Sequence, residues 1–370
     1  MRTRKLLIGG VIVGVVLSGC GGGGQTNAAG VRTIDVALTD ESCQPIALSA
    51  VAGPTTVHVT NQDADGVTEF EILDGKKIIG EVENVVPGLD RSFSLTLKPG
   101  SFVIYCPGAK KERGTLEVAA GGTGQTADPA ARKAAVDAYL TYVKKEADQL
   151  VADTGPFVVA VKAGDIAKAK ALFATTRSHY ETIEPIAESF GDLDAALDAR
   201  EGDVPAVEWS GFHRIEKALW ADGSLNGMSE VADKLVVDVA KLRSLIDSIE
   251  LEPAKIANGA VELLNEVSAS KITGEEDRYS HTDLADFEAN VAGAKQAFEV
   301  VKELMAKNDK TLVETINGRF ADVESALAPF KTSSGMASYT ALTNANKTML
   351  SQRIDALAEP LSRVAALVLQ

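Results

Sequence analysis

Histidine, cysteine and methionine are all scarce in this chain: four, three and five residues among 370. Three cysteines exclude a disulfide-dense scaffold, and a chain this long can bury a core without one. Basic residues are outnumbered, 37 Lys and Arg against 52 Asp and Glu, for a net charge of −15. Such a surface repels nucleic acid and anionic lipid, and suits cationic ligands. A Gly-rich phosphate loop is missing, so nucleotide chemistry lacks its cradle. H-E-x-x-H is missing too, and with it the signature of a zincin protease. The longest apolar stretch, Leu6 to Leu17, is too short to span a membrane comfortably.

That stretch has another reading. Arg2, Arg4 and Lys5 precede it, and Leu17-Ser18-Gly19-Cys20 follows. Basic region, apolar run and small residues before a cysteine form a secretory signal ending in a lipobox. Residues 1–20 are therefore expected to be a lipoprotein signal with Cys20 as the lipidated residue, and residues 21–30 a flexible tether. The mature chain is expected to be extracytoplasmic, anchored to the cell membrane by lipid, on the periplasmic side where an outer membrane exists.

Beyond the tether the chain has two textures. Residues 31–118 alternate and are rich in Val, Thr, Ile and Phe, with turn residues at short intervals. This predicts a small β-sandwich. Residues 119–129, AAGGTGQTADP, read as a linker. From 130 to 370, apolar residues recur at three- and four-residue spacing, as in DIAKAKALFATTRSHYETIEPIAESF. That predicts an all-α domain, one helical bundle or two stacked.

The scarce histidines draw attention where they do occur. GFHRIEKALW places His213 and Glu216 three apart, hence on one helical face. Glutamate and histidine at this spacing build metal sites inside helical bundles, although the pair is also common by chance. Glu181, Glu184 and Glu188 are spaced i, i+3, i+7, a carboxylate row that repels itself unless a cation neutralises it. GEEDRYSHTDLADF adds Glu275, Glu276 and Asp277 before a new helix capped near Thr282 or Asp283. Taken singly, each cluster also reads as ordinary charged surface. Together they form an oxygen-rich donor set with one or two imidazoles, suited to iron, manganese or zinc rather than Cu(I).

On these runs, YETIEPIAESFGDLD, DARE, GFHRIEKALW and GEEDRYSHTDLADFEANVAGA, the helical part resembles the imelysin, or M75 peptidase-like, family. ESCQPIALSAVAG, TEFEILDG, ENVVPG and the late Cys106 make residues 31–118 similar to the cupredoxin-like domain that precedes it in Efe-type iron-uptake proteins. The resemblance implies an iron-binding protein that passes iron (Fe2+ or Fe3+) to a membrane permease beside a haem peroxidase partner. It further implies that His213 and Glu216 form the H-x-x-E metal motif, with Glu181, Glu184 and Asp198 near the same metal. Glu275 or Glu276 would supply an extra ligand. Zinc would be a substitute in vitro. The family's peptidase label leaves a metallopeptidase as an alternative, and a polysaccharide- or protein-binding module with a structural metal is another. The sequence itself adds no support for peptide hydrolysis.

For the β-domain, a blue-copper site would need two histidines, and only His58 is present. The resemblance implies a different site, of Cys43, Cys106, Glu69 and Glu71, for copper or a second iron. The competing reading is a Cys43–Cys106 disulfide, and the two exclude each other because a disulfide offers no thiolate. Glu81 and Glu83, in GEVENVVPG, read as solvated strand residues, with membership of a metal site as the other reading.

Overall fold

A computed structural model describes residues 31–121, 128–306 and 309–370. Cys20 and the tether lie outside the described residues, as does most of the linker.

The first domain is a β-sandwich. β1 (Arg32–Leu38), β2 (Cys43–Gln44), β4 (Gly53–Asn61) and β7 (Asp90–Leu97) form one sheet in the order β2-β1-β4-β7. β3 (Ala47–Val51), β5 (Phe70–Asp74), β6 (Lys77–Val82), β8 (Gly100–Tyr105) and β9 (Arg113–Ala119) form the other, ordered β3-β9-β8-β5-β6. Alternation decides the faces: in β4, Val57 and Val59 are buried while His58 and Thr60 are half-buried. Between the sheets lie Val57, Val59, Phe70, Ile72, Phe93 and Ile104, a continuous apolar layer. Cys43 and Cys106 are joined in a buried disulfide that ties one sheet to the other. Of the two readings of these cysteines, ligation is the one overturned, because neither sulfur retains a thiolate.

The helical domain begins with α1 (Pro129–Lys162) and α2 (Ile166–Ile183), followed by α3 (Asp192–Asp198) and α4 (Gly211–Trp220). α5 (Ser229–Ile246), α6 (Pro253–Ala269), α7 (Asp283–Met305), α8 (Lys310–Leu327), α9 (Asn344–Leu361) and α10 (Val364–Val368) complete it. One core runs through all of these helices, the short α3 joining it through Leu197.

Two features of this packing position the site. α2 stops at Ile183, and a 3-10 segment takes over from Glu184 to Phe190. Pro185 has no N–H to give the carbonyl of Glu181, which accepts instead from the Glu184 backbone N–H and from Asn290 Nδ2 at 3.1 Å. The carboxylate row expected along one helix face is therefore interrupted: Glu181 lies in the last turn of α2 and Glu184 opens the next segment. The same backbone is gripped from two sides. A Cβ on Gly259 of α6 would fall 1.7 Å from the carbonyl oxygen of Pro185, and one on Gly293 of α7 2.3 Å from that of Thr182.

The domains touch along β7 and α6. Asn258 Nδ2 donates to the Ser94 carbonyl at 2.8 Å, and Arg91 Nη1 to Asn265 Oδ1 at 2.5 Å.

Candidate metal centre

α4 is amphipathic in an unusual way, because both faces are inside. Phe212, Ile215 and Leu219 form an apolar stripe, and Phe212 packs on Phe157 and Phe173 with ring centroids 6.3 and 6.4 Å away. Beside that stripe lie His213 and Glu216, exposed by only 1% and 0%. Gly211 starts the helix at φ +81°, and a Cβ there would fall 2.2 Å from the Leu197 carbonyl oxygen. Glycine thus lets α4 begin against the end of α3, which carries Asp198.

A buried imidazole and carboxylate need partners. His213 Nδ1 lies 2.9 Å from Glu216 Oε2. The other glutamate oxygen accepts the backbone N–H groups of Tyr279 and Ser280 at 2.9 and 2.7 Å. The segment between α6 and α7 is thereby folded over α4. His213 Nε2 makes no hydrogen bond, although it lies 3.5 Å from Asp198 Oδ1 and 3.4 Å from Glu276 Oε1. Asp277 Oδ1, also without a hydrogen bond, is 3.8 Å from His213 Nδ1. Two overlapping groups result, Asp198–His213–Glu276 and His213–Glu216–Asp277, each with its donor atoms within 4.8 Å of one another.

Cations already sit inside this cluster. Arg177, fully buried, pairs with Glu181 at 2.5 Å, Glu276 at 2.7 Å and Asp286 at 3.3 Å, and also with Asp198. Lys271, also buried, reaches Glu181 at 3.1 Å and Glu184 at 2.6 Å. Asn290 bridges the same two glutamates at 2.9 and 2.7 Å.

The electrostatics follow from this arrangement. Burial opposes the charge of Glu276, but Lys271, His213 and Arg177 outweigh it and hold the carboxyl well below its usual range. Glu181 is lowered in the same way by Arg177 and Lys271, and Glu216 by His213 and the two backbone donors. Elsewhere burial wins: Asp277 is pushed up to about 7, with Glu216 adding to the push, and Asp283 to about 6. Glu184 rises well above the ordinary value through burial and Glu181. Burial and Arg177 act against a charged His213, yet Glu216, Glu276 and Asp198 carry it up to about 10.

The residues singled out from the sequence thus divide. Asp198, His213, Glu216 and Glu276 converge. Glu181 and Glu184 stand behind them, attached to Lys271 and Asn290. Glu275 does not belong: it is exposed and pairs with Arg278 at 3.1 Å, while the next two residues, Glu276 and Asp277, are buried. Arg177, Lys271, Asp286 and Asn290 escaped the sequence reading, while Asp277 was named there only as part of the acidic run. Arg177 precedes Glu181 by one helical turn, and Asp283, Asp286 and Asn290 follow the i, i+3, i+7 pattern, so the helical-face argument could have found them.

In the β-domain, Glu69, Glu81 and Glu83 come together with ligand atoms within 4.8 Å; Glu83 is exposed, as a solvated residue should be, whereas Glu81 is buried. Glu71 is buried directly across from Glu81 in the β5–β6 ladder. Burial, Glu71 and Glu83 push Glu69 up to about 8. His58 is held between Asp35 and Asp90 on the sandwich surface, at 3.3 and 3.2 Å.

Comparison with known proteins covers both domains. Residues 135–364 match the family model for imelysin (peptidase M75), and residues 11–118 that for a cupredoxin-like domain. The iron uptake system component EfeO of Escherichia coli K12 is 41% identical over 347 residues, 92% of each chain. That of Shigella flexneri gives the same figures. Among solved structures, auracyanin B is 16% identical over 26% of this chain and 95% of its own, with a TM-score of 0.23. Auracyanin A of Chloroflexus aurantiacus is 17% identical over 24% and 98%, with a TM-score of 0.22.

Proposed function

The chain belongs to the EfeO-type imelysin family, and from that membership we propose that it captures iron for uptake through the buried site around His213. The observation that carries the reading is His213 Nε2, a buried nitrogen without a hydrogen bond, facing Asp198 and Glu276 at 3.5 and 3.4 Å. A buried polar atom without a hydrogen bond is costly, and a cation held by the same carboxylates would give the neutral ring nitrogen a partner. His213, Glu216, Asp198 and Glu276 are the ligands in this reading, with Asp277 the reserve carboxylate. One imidazole among carboxylates suits Fe2+ or Fe3+, and admits Zn2+ in vitro.

Glu181, Glu184, Lys271 and Asn290 would hold the cluster in place rather than ligate. The depth of His213 and Glu216 suits enclosure of a single ion. Capture and delivery, rather than hydrolysis, is the role this geometry favours.

We place the protein outside the cytoplasm, held to the membrane by lipid on Cys20, handing iron to a permease alongside a haem peroxidase. No helix among the described residues is long and apolar enough to cross a membrane. In the β-domain, with the cysteines joined, any copper or second iron would depend on carboxylates alone, which favours iron over copper.

The test is metal content by mass spectrometry after loading with ferrous iron in air. The parent should retain iron, and His213→Ala/Glu216→Ala should lose it. Equal iron in both proteins would refute the assignment.

A further inference from the structure

Between the two domains lies a cavity of about 530 Å³. Glu69, Glu81 and Glu83 line it from the β-sandwich, and Asp198, Glu266 and Glu276 from the helices. Arg200 is the one cationic side chain among its described lining residues. Carboxylates from both domains therefore face a shared space, close enough that Glu83 helps burial to push Glu266 up to about 7. The contact is direct where the Glu83 backbone N–H meets Glu262 Oε2 at 3.4 Å.

The far wall of this cavity is the metal centre itself. Asp198 and Glu276 belong to both, and behind them His213 Nε2, 99% buried and without a hydrogen bond, points toward those same two carboxylates. Asp198, with 14% of its side chain exposed, is the most accessible member of the group it forms with His213 and Glu276. Arg200 occupies the junction. Its Nη1 donates to Glu276 Oε2 at 3.2 Å while its Nε holds Asp203 at 3.2 Å.

We propose that this interdomain cavity is the passage by which a hard divalent cation reaches the helical site, with Glu69, Glu81 and Glu83 as a first, weaker holding point. The inference rests on the iron-capture reading above. A negatively lined cleft with low-dielectric walls concentrates cations and speeds their arrival. Three carboxylates with ligand atoms within 4.8 Å can hold such an ion briefly, without an imidazole to retain it. The ion then meets Glu276, where it displaces Arg200, whose other partner Asp203 keeps the guanidinium nearby. The β-sandwich in this scheme contributes half of a path rather than a separate store.

The experiment follows loading of the purified protein with Fe2+ without oxygen, by stopped-flow quenching of Trp209 and Trp220 fluorescence, with iron content measured after equilibration. Glu69→Gln/Glu81→Gln/Glu83→Gln should load at least about tenfold more slowly, the lower end of what electrostatic focusing supplies, and should lose a weaker second equivalent. Ala195→Lys leaves every carboxylate in place but sets a cation on the cavity wall. It should load comparably slowly and still reach the parental iron content at the helical site. A parental rate for Ala195→Lys overturns the passage, even if the triple variant is slow, because the cause would then lie outside the cavity. If His213→Ala/Glu216→Ala loses iron while both cavity variants load normally, only the passage falls. If that double variant keeps its iron, the capture site and the passage fall together.

Discussion

Arg177 is the element whose removal should reveal most about how this cluster is held. Arg177→Met keeps the length and the apolar stem but deletes the guanidinium from among Glu181, Asp198, Glu276 and Asp286. Breaking a buried pair from one side costs about 3–5 kcal/mol, because the remaining charge is left uncompensated. Lys271 still serves Glu181, so the lower figure applies, about 3 kcal/mol near pH 8. For a domain of this size that corresponds to a fall in Tm of about 6–12 °C.

The sign of the pH dependence is fixed by the same contacts. In the parent, Glu181 and Glu276 are held below their usual range, so they contribute stability above the unfolded pKa, and it is lost as pH falls through the folded one. Without Arg177 both carboxyls rise, and protonation replaces the lost cation at lower pH. The deficit against the parent should therefore be small at pH 5 and large at pH 8. A saturating divalent cation should recover part of it at pH 8, since it supplies the missing charge. Thermal unfolding followed by circular dichroism at both pH values, with chelator and with Mn2+, measures all three effects. A pH-independent deficit unmoved by metal would show that only packing was lost. A Tm within about 2 °C of the parent at pH 8, against the shift worked above, would refute the charge argument altogether.

Three further outcomes are expected. Because His213 carries a proton up to about pH 10 in the metal-free protein, and only the neutral ring can ligate, apparent metal affinity should fall about tenfold per pH unit below that value. Calorimetry between pH 6 and 8 in buffers of different ionisation enthalpy checks it, and a flat affinity refutes His213 as a ligand. Glu276→Gln should weaken metal binding at least about tenfold, in line with losing a ligand or its support, whereas Glu275→Gln should match the parent; equal effects would contradict the division of that turn. Cys43→Ser/Cys106→Ser opens a link between residues 63 apart, worth about 4 kcal/mol in the chain-entropy model. Denaturant unfolding should show the β-sandwich melting earlier, with iron at the helical site undiminished.

The two textures of the chain were legible because strand and helix periods are local properties of a sequence. So was the His213–Glu216 pair, since three residues on a helix place two side chains together whatever surrounds them. What stayed hidden depends on segments far apart in the chain. Tyr279 and Ser280 meet Glu216 from more than sixty residues away, and no period announces that return. Glu275 and Glu276 are neighbours with opposite fates, decided by how one turn lies on α4. Lys271 looks like any surface lysine until it is found buried between Glu181 and Glu184. The facing of Glu81 toward Glu69 depended on the β5–β6 register, which a hairpin sequence leaves open to a shift of one residue.

The two glycines that press on the end of α2 bear on what substitution can and cannot change here. Gly259 and Gly293 lie against the main chain at Pro185 and Thr182, so the backbone that carries Glu181 and Glu184 is positioned by main-chain contact as well as by the side chains of Lys271 and Asn290. Exchanging ligands around His213 can alter which ion is preferred while the frame keeps its width. A single added methyl at either glycine works the other way: it leaves every donor atom in the sequence and moves them apart. Selection on the proposed centre thus has two separable handles, chemistry through α4 and the 276–280 turn, and calibre through a pair of residues outside the donor set.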